Sequence, residues 1–247
     1  MVQSFNAKAL VTLASVLRRP YLMSPHVFVN NISEINYEAL KQDCNIRAVV
    51  FDKDNTLTAP YALEIHPQAQ VGFQKALDTF GVQGVAILSN SAGTKDDVDY
   101  QDAIEIENSL HIPVIRHDEK KPGGLQEVLQ HFQLEDSSQI CMIGDRLLTD
   151  IVFGNLHGML TIHTLPLCSG SDNASDNKIA SSIRTIENAS LYSNWFGGRM
   201  IRSRTMPHKY WAGEETCPLI ISSSTSSSNG EEREEKEEGH DDDEPDD

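Results

Sequence analysis

Apolar and polar residues between residues 46 and 165 form short blocks whose spacing predicts alternating strands and helices. The apolar runs that predict strands are Arg47–Phe51, Val85–Leu88, Ile112–Ile115, Ile140–Ile143 and Met159–Thr164. The segments between them predict helices at about 68–80, 96–110, 123–132 and 148–157. Such alternation is typical of a parallel sheet covered by helices. The predicted fold class is therefore α/β, a Rossmann-like central parallel sheet flanked by helices.

Polar side chains capable of chemistry follow these strands where each one ends. The four groups are Asp52–Thr56, Ser89–Ser91, Lys120–Pro122 and Gly144–Asp150. Each group alone could be a turn or a helix cap. The carboxyl ends of parallel strands meet at one edge of a sheet, so all four groups together predict a site there. Carboxylates held close repel one another, so this edge requires a cation, a proton or both.

The Asp-x-Asp pair at Asp52 and Asp54 could also begin a calcium-binding loop. Such a loop has Gly at its sixth position and Glu at its twelfth. Counted from Asp52, these positions hold Leu57 and Leu63, which excludes the calcium loop.

The ordered set resembles the haloacid dehalogenase-like (HAD) phosphohydrolases. Their pattern is Asp-x-Asp-x-Thr, a Ser or Thr at a strand end, a Lys, and a late Gly-Asp-x-x-x-x-Asp. The matching residues are Asp52, Asp54, Thr56, Ser89, Lys121, Asp145 and Asp150. The resemblance covers about residues 45–165.

This resemblance implies catalytic roles for three residues. Asp52 is expected to be the nucleophile that forms an aspartyl-phosphate. Asp54 is expected to be the general acid/base that protonates the leaving alkoxide and then activates water. Lys121 is expected to neutralise charge at the phosphoryl group. The neighbouring Lys120 stays an alternative, but Lys121 is favoured because it directly precedes Pro122, as in the resembling families.

The resemblance also implies Mg²⁺ as the cofactor. Its expected ligands are Asp52, the backbone carbonyl of Asp54, and Asp145, while Asp150 supports it through water or through another ligand. The side chains expected to contact the substrate are Thr56, Ser89, Asn90 and Arg146.

The spacing between the motifs leaves no room for a cap domain. About ten residues separate Thr58 from the helix near Gln68, and one helix and one strand use the residues between Asn90 and Lys121. An open site suits a large or anchored substrate such as a lipid headgroup, a polymer end or a protein. The acid at Asp54 favours a phosphatase, since the resembling dehalogenases and ion-pumping ATPases lack it. A phosphomutase stays an alternative, although that activity generally comes with a cap domain.

Longer stretches resemble the mitochondrial phosphatidylglycerophosphatases of the capless HAD subfamily IIIA. These stretches are PHVFVNNI, FDKDNTLTAP, LSNSAG, KKP and GDRLLTDI. The resemblance implies hydrolysis of phosphatidylglycerophosphate to phosphatidylglycerol, within cardiolipin biosynthesis, by a peripheral enzyme at the matrix side of the mitochondrial inner membrane. A capless phosphatase for a soluble phosphomonoester or phosphoprotein would share the catalytic residues. A non-catalytic scaffold on the same fold is a third alternative, which the intact motifs disfavour.

The N-terminal segment, residues 1–33, is predicted to be amphipathic and close to a membrane. It holds no acidic residue, and its basic residues are Lys8, Arg18 and Arg19. Helical spacing places Leu10, Leu13, Ala14 and Leu17 on one face. A core-packing helix, a mitochondrial transit peptide and an interfacial anchor stay open. A helix that packs on the domain and also contacts a membrane is favoured.

A second candidate membrane contact is the segment 195–211, which holds both tryptophans, Trp195 and Trp211, four Lys or Arg residues and no acid. Aromatic and cationic residues together favour a surface of anionic lipid. A segment that covers the core is the main alternative. The acidic net charge disfavours nucleic acid. The predicted partners are therefore an anionic phospholipid membrane and its lipid substrate, with no nucleic acid, and a homo-oligomer is left open.

Charge and cysteine usage complete the predicted organisation. Residues 231–247 hold twelve acidic residues against Arg233 and Lys236, a net charge of −10 out of −17 for the chain. We therefore predict a phosphatase domain over residues 34–215 and a disordered Ser-rich, acidic tail over 216–247. The four cysteines form no C-x-x-C pair, which argues against a disulfide framework or a cysteine zinc site and fits a reducing compartment.

Overall fold

The computed structural model describes residue 16 and residues 18–168 and 205–221. Three sequence predictions lie outside these residues. They concern the apolar face from Leu10 to Leu17, the aromatic and basic residues 195–204, and the acidic tail from residue 222.

Among the described residues, five strands form one parallel sheet. They are β1 Val27–Val29, β2 Ala48–Phe51, β3 Val85–Ile87, β4 Ile140–Gly144 and β5 Leu160–Thr164. Their order across the sheet is β1-β5-β4-β2-β3, and every neighbouring pair is parallel. Strands β2 to β5 are buried along their whole length, which explains why the sequence shows them as continuous apolar runs. The predicted α/β class with a central parallel sheet is confirmed.

In the described part of the chain, the α-helices that flank the sheet are five. They are α1 Tyr37–Gln42, α2 Pro67–Phe80, α3 Gln101–Leu110, α4 Leu125–Phe132 and α5 Val152–Leu156. A π-helical segment, Leu147–Ile151, leads directly into α5. The 3-10 turns are Pro20–Met23, Ile32–Glu34, Val82–Gly84, Val98–Tyr100 and Ser137–Gln139. Helix α2 begins with a proline, which suits the first helical turn, and ends before Gly81, whose φ is 72°.

Two predicted elements differ from the structure. The predicted strand Ile112–Ile115 is wrong as a full strand, because only Val114 forms a bridge, with Ile87. Pro113 has no N–H to donate to a ladder. The helix predicted from residue 96 begins only at Gln101, because the two preceding residues have left-handed backbone conformations.

The core consists of two main clusters, one on each face of the sheet. Alternate residues of β2 enter them: Val49 and Phe51 face the larger cluster, and Ala48 and Val50 face the smaller one. The smaller cluster also contains Phe153 of α5. The sheet is therefore covered on both faces.

Residues on both flanks of the predicted domain contribute to this core. Leu22, ahead of β1, is buried beside Val152 of α5. Beyond residue 215, Ile220 forms an antiparallel bridge with Ile35. Trp211, near the end of the predicted domain, packs against the larger cluster. Among the described residues, no helix has the length and apolar character that crossing a bilayer requires.

Candidate active site

The polar groups at the strand ends meet at one edge of the sheet, as the sequence predicts. Asp52 directly follows β2, Asp145 directly follows β4, and Asp150 lies in the π-helical segment. One carboxylate oxygen from each of these three residues lies within 4.8 Å of the other two. All three side chains are buried. The geometry therefore brings three acids together from chain positions nearly a hundred residues apart.

Lys121 links two of these acids. Its Nζ lies 2.6 Å from Asp52 Oδ1 and 2.6 Å from Asp150 Oδ1, and its side chain is fully buried. The Nζ of the preceding Lys120 instead pairs with Asp96 at the surface, where 46% of the lysine side chain is exposed. The structure therefore places Lys121, and not Lys120, among the carboxylates.

The cluster is short of positive charge. Burial opposes the charge on Lys121, but the carboxylates of Asp150 and Asp52 outweigh it and raise the pKa of the lysine above its ordinary value. Burial, together with repulsion from Asp52, raises the pKa of Asp150, although Lys121 opposes this. Three ionised acids beside one lysine would carry two net negative charges in the interior, which is a strong reason for a cation to bind.

The residues present fit a divalent metal ion. Their carboxylate oxygens are the ligands that hard cations prefer. Asp52 Oδ2 is buried and has no hydrogen-bond partner among the described residues, so this oxygen can contact a metal or a substrate. Asp150 contributes one carboxylate oxygen to this set of three. A Cβ at Gly144 would overlap its carboxylate, so glycine is required there.

Backbone and side-chain contacts fix the loops that carry Asp145 and Asp150. The backbone N–H of Arg146 donates to Asp150 Oδ2 over 3.1 Å, and the N–H of Asp150 donates to the Arg146 carbonyl over 3.0 Å. His163 Nε2 donates to the backbone carbonyl of Asp145 over 3.0 Å. Burial lowers the pKa of His163 to about 4, so the ring is neutral at physiological pH.

Asp54 lies at the rim of the site in a tight loop. Its Oδ1 accepts from Lys53 Nζ over 2.7 Å and from the N–H of Tyr61 over 3.1 Å. Lys53 is itself buried and also donates to Thr58 Oγ1 and to the Ala62 carbonyl. The lysine therefore holds the Asp54 carboxylate in place, a role that sequence reasoning missed because Lys53 is only a spacer in the Asp-x-Asp pattern.

The other side chains predicted to contact the substrate differ in the hydrogen bonds that they already make within the protein. Thr56 is buried, and its Oγ1 has no hydrogen-bond partner among the described residues. Ser89 is buried after β3, and its Oγ accepts from the N–H of Ser91 over 3.2 Å. Asn90 Oδ1 accepts from the backbone N–H of Lys121 over 2.9 Å. Asn90 therefore ties two loops together, in addition to any contact with a substrate.

Comparison with known proteins identifies the family. A family model described as mitochondrial PGP phosphatase matches residues 7–167, well over half of the chain. The chain belongs to this family. The matched range contains every site residue described above, from Asp52 to His163, so the resemblance seen in the motifs is confirmed.

Individual relatives carry related names. The chloroplastic phosphatidylglycerophosphate phosphatase 1 of Chlamydomonas reinhardtii is 41% identical over 173 residues, which are 69% of this chain and 63% of that protein. The chloroplastic/mitochondrial phosphatidylglycerophosphate phosphatase 1 of Arabidopsis thaliana is 41% identical over 196 residues, which are 78% of this chain and 54% of that protein. A mitochondrial phosphatidylglycerophosphatase of Saccharomyces cerevisiae is 31% identical over 157 residues, which are 62% of this chain and 83% of that protein. The chain therefore spans less than two thirds of the length of its algal and plant relatives.

Proposed function

We propose that this protein is a phosphatase that hydrolyses phosphatidylglycerophosphate to phosphatidylglycerol through an aspartyl-phosphate on Asp52. One observation carries the chemistry. The buried Asp52 carboxylate has one oxygen paired with Lys121, while its other oxygen has no hydrogen-bond partner among the described residues. The family assignment supports the choice of substrate, because the relatives named above are phosphatidylglycerophosphate phosphatases.

The reaction proceeds in two steps. In the first, an Asp52 oxygen attacks phosphorus, the bond from phosphorus to the glycerol oxygen breaks, and Asp54 gives its proton to the departing alkoxide. In the second, Asp54 removes a proton from water, which attacks the aspartyl-phosphate and releases inorganic phosphate. Asp52 is thereby regenerated as a carboxylate. Lys121 offsets negative charge on the phosphoryl group throughout.

We propose Mg²⁺ as the metal ion. Asp52, Asp145 and Asp150 would hold it, together with the backbone carbonyl of Asp54. When bound, the ion would supply positive charge to the phosphoryl oxygens. Ser89, Thr56 and Arg146 would contact the phosphate, and the position of Ser89 after β3 suits a hydrogen bond to a phosphoryl oxygen.

The proposed setting is the surface of an anionic membrane, at the matrix side of the mitochondrial inner membrane. The loop after Asp54 carries Tyr61, which is 65% exposed. An exposed aromatic residue beside the site is compatible with a headgroup that stays anchored in a bilayer. Cardiolipin biosynthesis would consume the product.

Phosphate release from phosphatidylglycerophosphate in liposomes tests the proposal, with Mg²⁺ or with EDTA. We expect Mg²⁺-dependent release by the wild type and none by Asp52→Asn. Asp118→Asn is the matched control, because Asp118 pairs with Lys95 at the surface. Soluble glycerol phosphates are assayed in parallel. Turnover of the soluble esters alone would keep the chemistry and contradict the lipid substrate, and no turnover of either would contradict the phosphatase.

A further inference from the structure

Two loops must keep a fixed spacing for the site to bind a phosphoryl group. One follows β3 and carries Ser89, and the other carries Lys121. Among the described residues, the chain segments that lead into these loops share only the bridge between Ile87 and Val114 and not a longer ladder. Side-chain contacts therefore add to the few backbone contacts between the loops, and Asn90 supplies one of them through the N–H of Lys121.

His117 supplies two buried contacts, and its ring reaches both loops. Its Nε2 lies 2.8 Å from the backbone carbonyl oxygen of Ser89, and its Nδ1 lies 2.6 Å from the backbone carbonyl oxygen of Glu119. The backbone N–H of His117 donates to the Gly93 carbonyl over 2.8 Å. Only 2% of the residue is exposed, so water does not compete for these contacts.

The chemistry of these partners favours a ring that is protonated on both nitrogens. A carbonyl oxygen only accepts hydrogen bonds, so each contact requires a proton on the ring nitrogen. A neutral imidazole carries one N–H, and only the imidazolium donates from both nitrogens. With a neutral ring, one nitrogen lone pair would face a carbonyl lone pair at hydrogen-bond distance in a dry environment, which is costly.

We propose that His117, as an imidazolium, is a positioning residue that clamps the Ser89 loop to the Lys121 loop and so sets the spacing of the phosphoryl-binding groups. The kinetic consequence rests on the proposed function, since Ser89 and Lys121 matter together only if a phosphoryl group lies between them. The clamp and its kinetic consequence can be tested separately, because the protonation state of His117 is observable without any substrate.

The first test is the nitrogen-15 NMR spectrum of the full-length protein with labelled histidine, at the pH of the phosphatase assay. The chain has nine histidines, and the His117 signals are those lost in His117→Gln. If that variant does not fold, coupling across the hydrogen bond to the Ser89 carbonyl carbon assigns the ring in the wild type. We expect both ring nitrogens to have the chemical shifts of protonated nitrogen. A lone-pair shift at either nitrogen would overturn the clamp.

The second test is kinetic. We expect His117→Gln to lower kcat by roughly ten- to a hundred-fold, the range for losing a group that orients a site. His111→Asn is the control, because His111 is exposed at the end of α3 and has a left-handed backbone that asparagine tolerates. In a Ser89→Ala background, the same His117 change should lower kcat by less than about three-fold, because the positioned group is already gone.

The outcomes separate the clamp from a general loss of structure and from a failure of the proposed function. Equal losses from His117→Gln in the wild-type and Ser89→Ala backgrounds would contradict positioning through Ser89. A wild type that hydrolyses no phosphate ester would overturn the proposed function, and the NMR spectrum would then decide the clamp by itself.

Discussion

Replacing Lys121 with methionine should expose how strongly the buried acids depend on one lysine. The change removes the charge and keeps most of the side-chain length. Lys121 Nζ lies 2.6 Å from each of two carboxylates, and the side chains of Lys121, Asp52 and Asp150 are 0%, 8% and 1% exposed. Removing one partner of a buried ion pair costs about 3–5 kcal/mol, because the other charge stays buried without compensation. We expect Lys121→Met to lose this much free energy of unfolding.

The adjacent residue provides the matched control. Lys120 pairs with Asp96 at 2.7 Å, but the two side chains are 46% and 73% exposed. Exposed pairs contribute about 0–1 kcal/mol. Lys120→Met should therefore change the free energy of unfolding by less than about 1 kcal/mol. The same substitution at neighbouring positions thus has two different expected results.

Urea unfolding, in EDTA and in Mg²⁺, measures the free energy of unfolding of both variants. In EDTA, Lys121→Met should be the less stable by a clear margin. A bound ion at a hundred times its Kd stabilises the folded state by about 2.7 kcal/mol. Mg²⁺ should therefore restore part of the loss, and should stabilise Lys121→Met more than wild type, since the variant has one positive charge fewer beside the carboxylates. Equal stabilities of the two variants in EDTA would refute the view that these acids are charged and mutually repelling in the folded protein.

Three further predictions concern other parts of the fold. Gly144→Ala should displace the Asp150 carboxylate, because the added Cβ would overlap it. We expect a lower Mg²⁺ affinity in calorimetric titration and a free energy of unfolding lower by about 1–3 kcal/mol. An unchanged affinity would contradict the overlap between this Cβ and the Asp150 carboxylate. Trp211→Ala should lower the free energy of unfolding, measured with urea, by about 2–4 kcal/mol, because Trp211 packs on the core. Unchanged stability together with a loss of liposome binding would instead place Trp211 at the membrane. Burial lowers the pKa of His26 to about 4 from 6.5, so the unfolded chain binds more protons there and stability should fall as pH falls from 6.5 towards 4. Urea unfolding across this pH range should show that the free energy of unfolding depends less on pH in His26→Gln than in wild type. An equal dependence on pH would contradict the lowered pKa of His26.

The sequence predicts the central strands well because each is buried on both faces. A fully buried parallel strand requires apolar residues at every position, and β2 and β4 appear in the sequence as uninterrupted apolar runs. β1 was missed because it has only three residues and exposes Phe28 at the edge of the sheet. α1 was missed because its six residues are too few to show helical spacing.

The acids of the site could also be predicted, whereas the residues that position the surrounding loops could not. Strand ends converge by topology, so the position of Asp52 and Asp145 in the sequence is enough to bring them together. Lys53 and His117 act through contacts with an adjacent carboxylate and with backbone carbonyls. Such contacts depend on the path of a loop. Every residue has a backbone carbonyl, so the sequence does not indicate which carbonyl a side chain contacts.

The adjacent lysines, Lys120 and Lys121, show what the sequence can distinguish and what only the fold determines. In the sequence, Lys120 and Lys121 have the same charge and nearly the same surroundings, and only the neighbouring proline favours one of them. In the fold, the N–H of Lys121 is bound by Asn90, and its side chain enters the interior while that of Lys120 remains at the surface. Because the interior already holds Asp52 and Asp150, the lysine that enters it is stabilised by their charge in spite of its burial. Electrostatics therefore makes the inward position favourable for a lysine, and the loop geometry decides which of the two lysines occupies it.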